Sequence, residues 1–344
     1  MLMIILYFIT IVAGLIVLGY LFRKYFIPGR MCKIVKDMTG KFVIITGASS
    51  GLGEFTAIEL VKQGAKVIFA CRSQERAELS IKKIPKDAKG EGIFEFLDLC
   101  DLESIEKFAQ KIMSNYPKID ILINNAGAQP IDFIYTKDEL ESYLEGNHLG
   151  PMALTLELME YFEKDSRIIN VSSCSHYYSS LDEDSGDILS KIEKVKEFYY
   201  QSEMSRAILY ADCKIMNIYF TQYLSEKCEK YYPHIKCVSL HPGPVKTNFA
   251  RFLDKNESAK KMFEKYGVFL VKTTEQGAQT HLYLSYLPFE KLQPGAYYVD
   301  CQTALISKRA KNKKIRDAII KWSLKEINDR VPSSYLPDFS TENY

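Results

Sequence analysis

The sequence predicts a doubly wound α/β fold, a parallel sheet with helices on both faces, preceded by a single membrane-spanning helix. Three observations carry that expectation. Short β-branched and aromatic runs alternate with longer amphipathic stretches between Thr39 and about Cys301; the first of these runs leads into a glycine-rich turn that opens a helix; and the chain begins with a long uncharged apolar run.

That first run extends from Leu2 to Phe22 and is dominated by Leu, Ile, Val, Phe and Tyr. As a helix it would measure about 30 Å, enough to cross a bilayer. A cleaved signal peptide is the competing explanation. Against it, the run exceeds the usual ~7–15 residue apolar core, no basic segment precedes it and no clear A-x-A site follows. Arg23, Lys24, Arg30, Lys33 and Lys36 come next, which by the positive-inside rule places the rest of the chain in the cytosol, with the endoplasmic reticulum the expected membrane. Residues 1–24 are read as the anchor. Pro28 and Gly29 break the helix within a linker over 25–38.

Strands are expected at Phe42–Thr46, Lys66–Ala70, Ile93–Leu97, Ile119–Asn124, Arg167–Ser172, Ile235–Leu240 and Ala296–Val299. No fixed-period repeat or low-complexity tract divides them, so residues 39–305 read as one domain. Two stretches interrupt the alternation. One, between Ser175 and Met204, is polar and aromatic; the other, between Asn248 and Lys272, is rich in Lys, Phe and Tyr. Insertions of this kind serve either as lids or as solvated elaborations. Residues 306–344 read as a C-terminal helical tail. Its basic start, Ser307–Arg316, suits solvent first and an anionic membrane surface second.

The balance of charge, +2 overall, argues against a nucleic-acid partner. Eight scattered cysteines without a C-x-x-C pair read as reduced structural thiols, and five dispersed histidines offer no metal-ligand spacing.

Chemistry is concentrated at strand ends. The strand Phe42–Thr46 runs into Gly47-Ala48-Ser49-Ser50-Gly51-Leu52-Gly53, and a helix follows. Glycines there permit a tight turn and let the backbone approach a pyrophosphate, which then meets the positive end of the helix dipole; this is a Rossmann-type nucleotide site. The next strand ends in Cys71-Arg72-Ser73. An acid at that point would bind the ribose 2′-hydroxyl of NAD, whereas arginine suits the 2′-phosphate of NADP; NADP(H) is therefore expected, with NAD(H) the alternative. Asp98 and Leu99, at the end of the third strand, are candidates to meet the adenine. Tyr210 and Lys214 stand one helical turn apart, so both side chains share a face. A nearby ammonium lowers a phenol toward the range in which it exchanges protons at working pH. By itself the pair says little in a chain with 23 tyrosines.

Taken together, the motifs resemble those of the short-chain dehydrogenase/reductases, in the branch that includes retinol dehydrogenases and related membrane-bound reductases. The resemblance covers roughly Thr39 to Cys301. It rests on T-G-A-S-S-G-L-G at Thr46–Gly53, N-N-A-G at Asn124–Gly127, N-H-L-G at Asn147–Gly150, V-S-S at Val171–Ser173, Y-A-D-C-K at Tyr210–Lys214 and H-P-G-P-V-K-T at His241–Thr247. It implies that Ser173 hydrogen-bonds the substrate oxygen, that Tyr210 exchanges its proton, and that Lys214 tunes Tyr210 and holds the nicotinamide ribose. Asn147 is implied in a proton relay. Asn125, Ala126 and Gly127 would let the cofactor approach the backbone, and Pro242, Gly243, Val245 and Thr247 would line the nicotinamide. Ser172 is expected to face away, and His241 to be a packed histidine. Thr273 with Gln276 spells a helix capping box. The link between Ser173 and Tyr210 is longer than the family's usual one, which leaves the shape of the substrate pocket open.

The expected function is reversible carbonyl–alcohol conversion by hydride transfer on an apolar substrate such as a retinoid, steroid or other lipid, by a chain capable of forming a homodimer. The lipid choice follows from the anchor. An adaptor that keeps the nucleotide fold without turnover is the alternative, and an isomerase or dehydratase on the same fold a third.

Overall fold

A computed structural model of the chain describes residues 29–129, 131–181, 190–245 and 271–331, together with Gly14. The expected anchor therefore lies outside the described residues but for Gly14, as do Thr247 and almost all of the 248–272 stretch. Among the described residues no helix is long and apolar enough to cross a membrane.

Eight strands form one sheet: β1 (Phe42–Thr46), β2 (Lys66–Cys71), β3 (Glu91–Phe96), β4 (Ile119–Asn124), β5 (Phe162–Val171), β6 (Ile235–His241), β7 (Tyr297–Val299) and β8 (Gln302–Thr303). Their spatial order is β3-β2-β1-β4-β5-β6-β7-β8, with every pairing parallel except the last. The chain thus reverses its direction of travel between β1 and β4, the place where doubly wound sheets open a crevice beyond their carboxyl edge. β1 and β4 are buried throughout, as strands covered on both faces must be.

Alternation along β1 shows how the layers are built. Phe42 and Ile44 join a core formed with α3 (Leu102–Asn115), α4 (Gly150–Glu157), α5 (Glu203–Tyr231) and α7 (Lys313–Asn328). Val43 and Ile45 point the other way and meet α1 (Gly51–Lys62) and α6 (Thr274–Tyr286), while α2 (Gln74–Ile81) sits beyond β2. Thr273 and Gln276 close the capping box that starts α6.

Three features depart from the sequence reading. β5 begins at Phe162, with an irregularity opposite Ile119 and Ile121 and Asp165 at φ 61, so its polar start was hidden behind charged residues. A final antiparallel strand, β8, follows a two-residue turn in which both Asp300 and Cys301 have positive φ; that twist matches the strands it joins. The described part of the expected C-terminal tail packs into the core. Ile315, Ile319, Trp322 and Ile327 of α7 are buried against α5, and the basic residues Lys313 and Arg316 face Glu226 near its far end.

Candidate active site

The glycine turn is held by its neighbour strand. Thr46 is fully buried; its hydroxyl accepts the backbone N–H groups of Asn125 (3.0 Å) and Ala126 (2.9 Å), and the Asn125 amide donates to the Thr46 carbonyl at 2.9 Å. Gly47 (φ 68) and Gly51 (φ 60) occupy the left-handed region that side chains avoid. A methyl group on Gly53 would lie 2.5 Å from the Asn125 amide nitrogen and 2.7 Å from the Gly47 carbonyl oxygen, so this turn closes only with glycine there. Ser50 is extended and makes no capping bond to α1, which leaves the first N–H groups of that helix to an anionic ligand. The residues present thus fit the pyrophosphate of a nicotinamide dinucleotide.

Arg72 and Asp98 stand beside each other at the ends of β2 and β3, 4.0 Å apart, with Arg72 largely exposed. Asp98 is fixed by accepting the Cys100 N–H at 3.0 Å, and Ser49 reaches across to the Cys71 thiol. Leu99 is buried, its carbonyl pressed so close to Gly150 that no side chain fits there.

Asn147 lies in a π-turn, Glu145–Leu149, inserted ahead of α4; such turns recur at functional sites because they re-aim side chains. Its amide donates to the carbonyls of Ala128 (3.0 Å) and Tyr143 (2.7 Å) and accepts the Ala128 N–H (3.0 Å). Both donors are therefore spent on the backbone. A methyl group on Gly127 would stand 3.0 Å from the Asn147 Oδ1 and 3.2 Å from the Lys214 Nζ, so these two side chains converge on one point at the end of β4.

Tyr210 and Lys214 extend from α5 over the end of β5. Tyr210 is hydrogen-bonded to Ser173. The Lys214 ammonium donates to the Val171 carbonyl at 2.9 Å and lies 5.4 Å from the centre of the Tyr210 ring. Burial dominates both groups. It raises the phenol above its ordinary value, with the hydrogen bond to Ser173 pulling the other way, and lowers Lys214 to about 8. The expected fall of the phenol is not seen, because losing water disfavours phenolate more than the ammonium, already bonded to a carbonyl, favours it. Ser172 turns away, donating to the Lys214 carbonyl at 2.7 Å.

After β6, Gly243 (φ 88) donates its N–H to His241 Nδ1 at 2.9 Å. Burial and the neighbouring Lys272 hold His241 neutral, at about 4. Val245 and Leu52 crowd against Gly277, which brings the Pro242-Gly243-Pro244 loop beside the glycine turn. The ends of β1 through β6 thus line one crevice.

The family model of short chain dehydrogenases matches residues 41–180. Human retinol dehydrogenase 12 is 33% identical over 309 residues, covering 88% of this chain and 90% of that protein. The chain is a short-chain dehydrogenase. Human retinol dehydrogenase 14 is likewise 33% identical over 306 residues, covering 84% of this chain and 86% of its own length. Among solved structures, an uncharacterized protein from Mycobacterium Paratuberculosis superposes with a TM-score of 0.68 at 26% identity, over 87% of this chain and 98% of that one. A short-chain dehydrogenase from Burkholderia cenocepacia in complex with NADP shares the fold at a TM-score of 0.58 and 20% identity, covering 80% of this chain and all of that one. This dehydrogenase is therefore an NAD(P)-dependent oxidoreductase of alcohols and carbonyls, similar to the retinol dehydrogenases.

The dehydrogenase also uses residues that sequence reasoning did not single out. Asp212, between Tyr210 and Lys214 but on the opposite face of α5, is fully buried and accepts four hydrogen bonds: from the hydroxyls of Ser179 (2.7 Å), Ser180 (2.8 Å) and Tyr199 (2.6 Å) and from the Ser180 N–H (2.7 Å). It ties the stretch after Ser173 to α5, the helix that carries Tyr210 and Lys214. Tyr200 adds a bond to Glu141 at 2.7 Å and an edge contact with Phe133. The described part of this insertion is thus anchored to the domain. His176 donates from Nδ1 to the Ser173 carbonyl (2.7 Å) and accepts the Ser307 N–H at Nε2 (3.2 Å), a pairing that sets its tautomer and steadies Ser173. An acid in the middle of the Tyr–Lys motif was the one available signal for Asp212.

Proposed function

We propose that the protein is an NADP(H)-dependent oxidoreductase that interconverts carbonyl and alcohol on an apolar, retinoid-, steroid- or lipid-like substrate, with Tyr210 as general acid and base, held at a membrane by residues 1–24. One observation carries this reading: Ser173, Tyr210, Lys214 and Asn147 meet beside Gly127 at the end of β4 and β5.

Within that cluster the division of labour is the one the family resemblance implies, and the geometry is compatible with it. Ser173 offers a hydroxyl to the substrate oxygen beside Tyr210. Burial keeps the phenol protonated, so Tyr210 can hand its proton to an oxygen that gains charge as a carbonyl is reduced. Lys214, poised at about 8, would hold the ribose and return a proton to the phenolate that is left behind. Asn147 would join a proton relay with Lys214, its side-chain amide held in place by the carbonyls of Ala128 and Tyr143. A bound nicotinamide would supply the hydride, with Gly47, Ser49, Ser50, Gly51, Leu52 and Gly53 under its pyrophosphate. Asp98 and Leu99 would meet its adenine, and Asn125, Ala126, Pro242, Gly243, Val245 and Thr247 would flank the rest. The exposed Arg72 guanidinium at the end of β2, where no acid stands, favours a 2′-phosphate.

Full-length protein offered NADPH with retinal, steroid ketones and long-chain aldehydes should consume the cofactor; turnover of small polar carbonyls alone would overturn the substrate class. Tyr210→Phe should lower kcat by about 10²–10⁴-fold while NADPH still binds. Unchanged turnover would remove Tyr210 from the chemistry and favour the adaptor reading.

A further inference from the structure

We infer that the mouth of the active-site cleft rests directly on the lipid surface, through an apolar rim at the carboxyl edge of the sheet. This deepens the proposed function and rests on the anchoring of residues 1–24.

The first observation is the place where the chain joins the domain. Gly29 packs so closely on the β7–β8 turn that a methyl group there would fall 2.2 Å from the Asp300 carboxylate and 2.7 Å from the Lys272 Nζ. Asp300 follows the carboxyl end of β7, and Lys272 bonds through its backbone N–H to Pro244 in the loop after β6. Residues 29–38 then run down the α6 side, through the bond from Cys32 to Gln279, to meet Gln63 at the far end of α1. Gly29, to which the tether joins, thus sits at the same edge as the cleft. Between Phe22, the last residue of the apolar run, and Gly29 the backbone reaches at most about 25 Å even when fully extended, so that edge is held near the bilayer. The bridging residues Arg23-Lys24-Tyr25-Phe26-Ile27 have the basic and aromatic character suited to an anionic interface.

The second observation is what this edge exposes. Tyr135 on the loop after β4, Tyr177 and Tyr178 on the turn after Ser173, and Met204 at the start of α5 are all exposed, Tyr178 by 78% and Met204 by 72%. Ile134 lies beside Tyr135, also in the open. Each belongs to a segment that follows a strand's carboxyl end or precedes Tyr210 on α5. Met204 stands about 9 Å beyond Tyr210 along the helix axis. Isolated exposed apolar residues are ordinary, but these occupy the one edge that carries both the cleft and the tether. The basic start of α7 is excluded from this contact, because Lys313 and Arg316 face Glu226, three turns below Lys214. An apolar substrate would pass between bilayer and cleft without entering water.

The test uses full-length protein in phosphatidylcholine–phosphatidylserine vesicles whose acyl chains carry bromine, a contact quencher of tryptophan. The chain's single tryptophan, Trp322, is buried in α7 and serves as the internal reference. Tyr178→Trp should add fluorescence that brominated chains quench by about half, because interfacial side chains enter the headgroup and acyl boundary; Trp322 in the unsubstituted protein should be unaffected. A second measurement guards against a misfolded variant. Tyr178→Asp with Ile134→Asp should lower kcat/KM about tenfold for a long-chain aldehyde dissolved in the vesicles and leave it unchanged for a short water-soluble aldehyde. Protein that floats with the vesicles but shows neither effect overturns the docked rim while sparing the anchor. Failure to float overturns the anchor and the rim together.

Discussion

The two halves of the sheet build the candidate site by different means. From β1 to β4 the site is made of backbone: positive-φ glycines, the open start of α1, and Thr46 bridging to Asn125 and Ala126. From β5 onward it is made of side chains bound to one another across long stretches of sequence, as Asp212 is to Ser179, Ser180 and Tyr199, and His176 to Ser173 and Ser307. Backbone sites tolerate substitution wherever the turn itself survives. Side-chain networks fail when any buried member loses its partner.

The sharpest way to break that contrast is at Asp212. Asp212→Ala would leave three hydroxyls and one N–H without their acceptor inside the core, and should destabilise the protein by about 3 kcal/mol, visible as a lower Tm. If the network matters as argued, trypsin should then cut sooner at Lys191, Lys194 or Lys196, beside Tyr199; equal cutting would mean that this segment is held by its apolar contacts instead.

Acid probes the same half. His148 and His281 are fully buried, and burial lowers both to about 4. The unfolded chain takes up these protons first, near the ordinary 6.5, so the stability they provide is complete above that pH and is lost as pH falls toward 4. The loss should approach about 3 kcal/mol for each histidine. Thermal melts across pH 7 to 4 would record a steep fall, and a flat profile would mean that these imidazoles find a way to water.

On the backbone side the expected effect is smaller and more local. Gly47→Ala forces a side chain into the left-handed region and places its Cβ 3.1 Å from the Ala126 Cα, costing about 1–2 kcal/mol. Calorimetry should show weaker NADPH binding, while the buried network around Asp212 keeps its protection from proteolysis. Loss of both together would erase the distinction between the halves.

Most of the frame was legible in the sequence. The strands at Phe42–Thr46 and Ile119–Asn124 were read to the residue, because short runs rich in β-branched residues that end at a glycine turn or an Asn-Asn pair leave few other conformations. β5 was read five residues short, since Phe162–Ser166 carries the charges of an exposed start, and β8 was missed because two residues hold no periodicity. α7 was taken for a tail. Its basic start pointed to solvent, and nothing local told that Ile315, Ile319, Trp322 and Ile327 would meet α5.

Sequence alone determined the order of elements, the glycine turn, the absence of an acid after β2, and the helical spacing of Tyr210 and Lys214, because each depends on neighbours within a few residues. Tertiary structure alone decided that Gly127, Asn147 and Lys214 meet at one point, that burial raises the Tyr210 phenol in spite of the lysine beside it, and that Asp212 clamps the described part of the insertion to α5. Those outcomes depend on which groups lose water and which distant partners replace it, and that is settled only when the chain closes on itself.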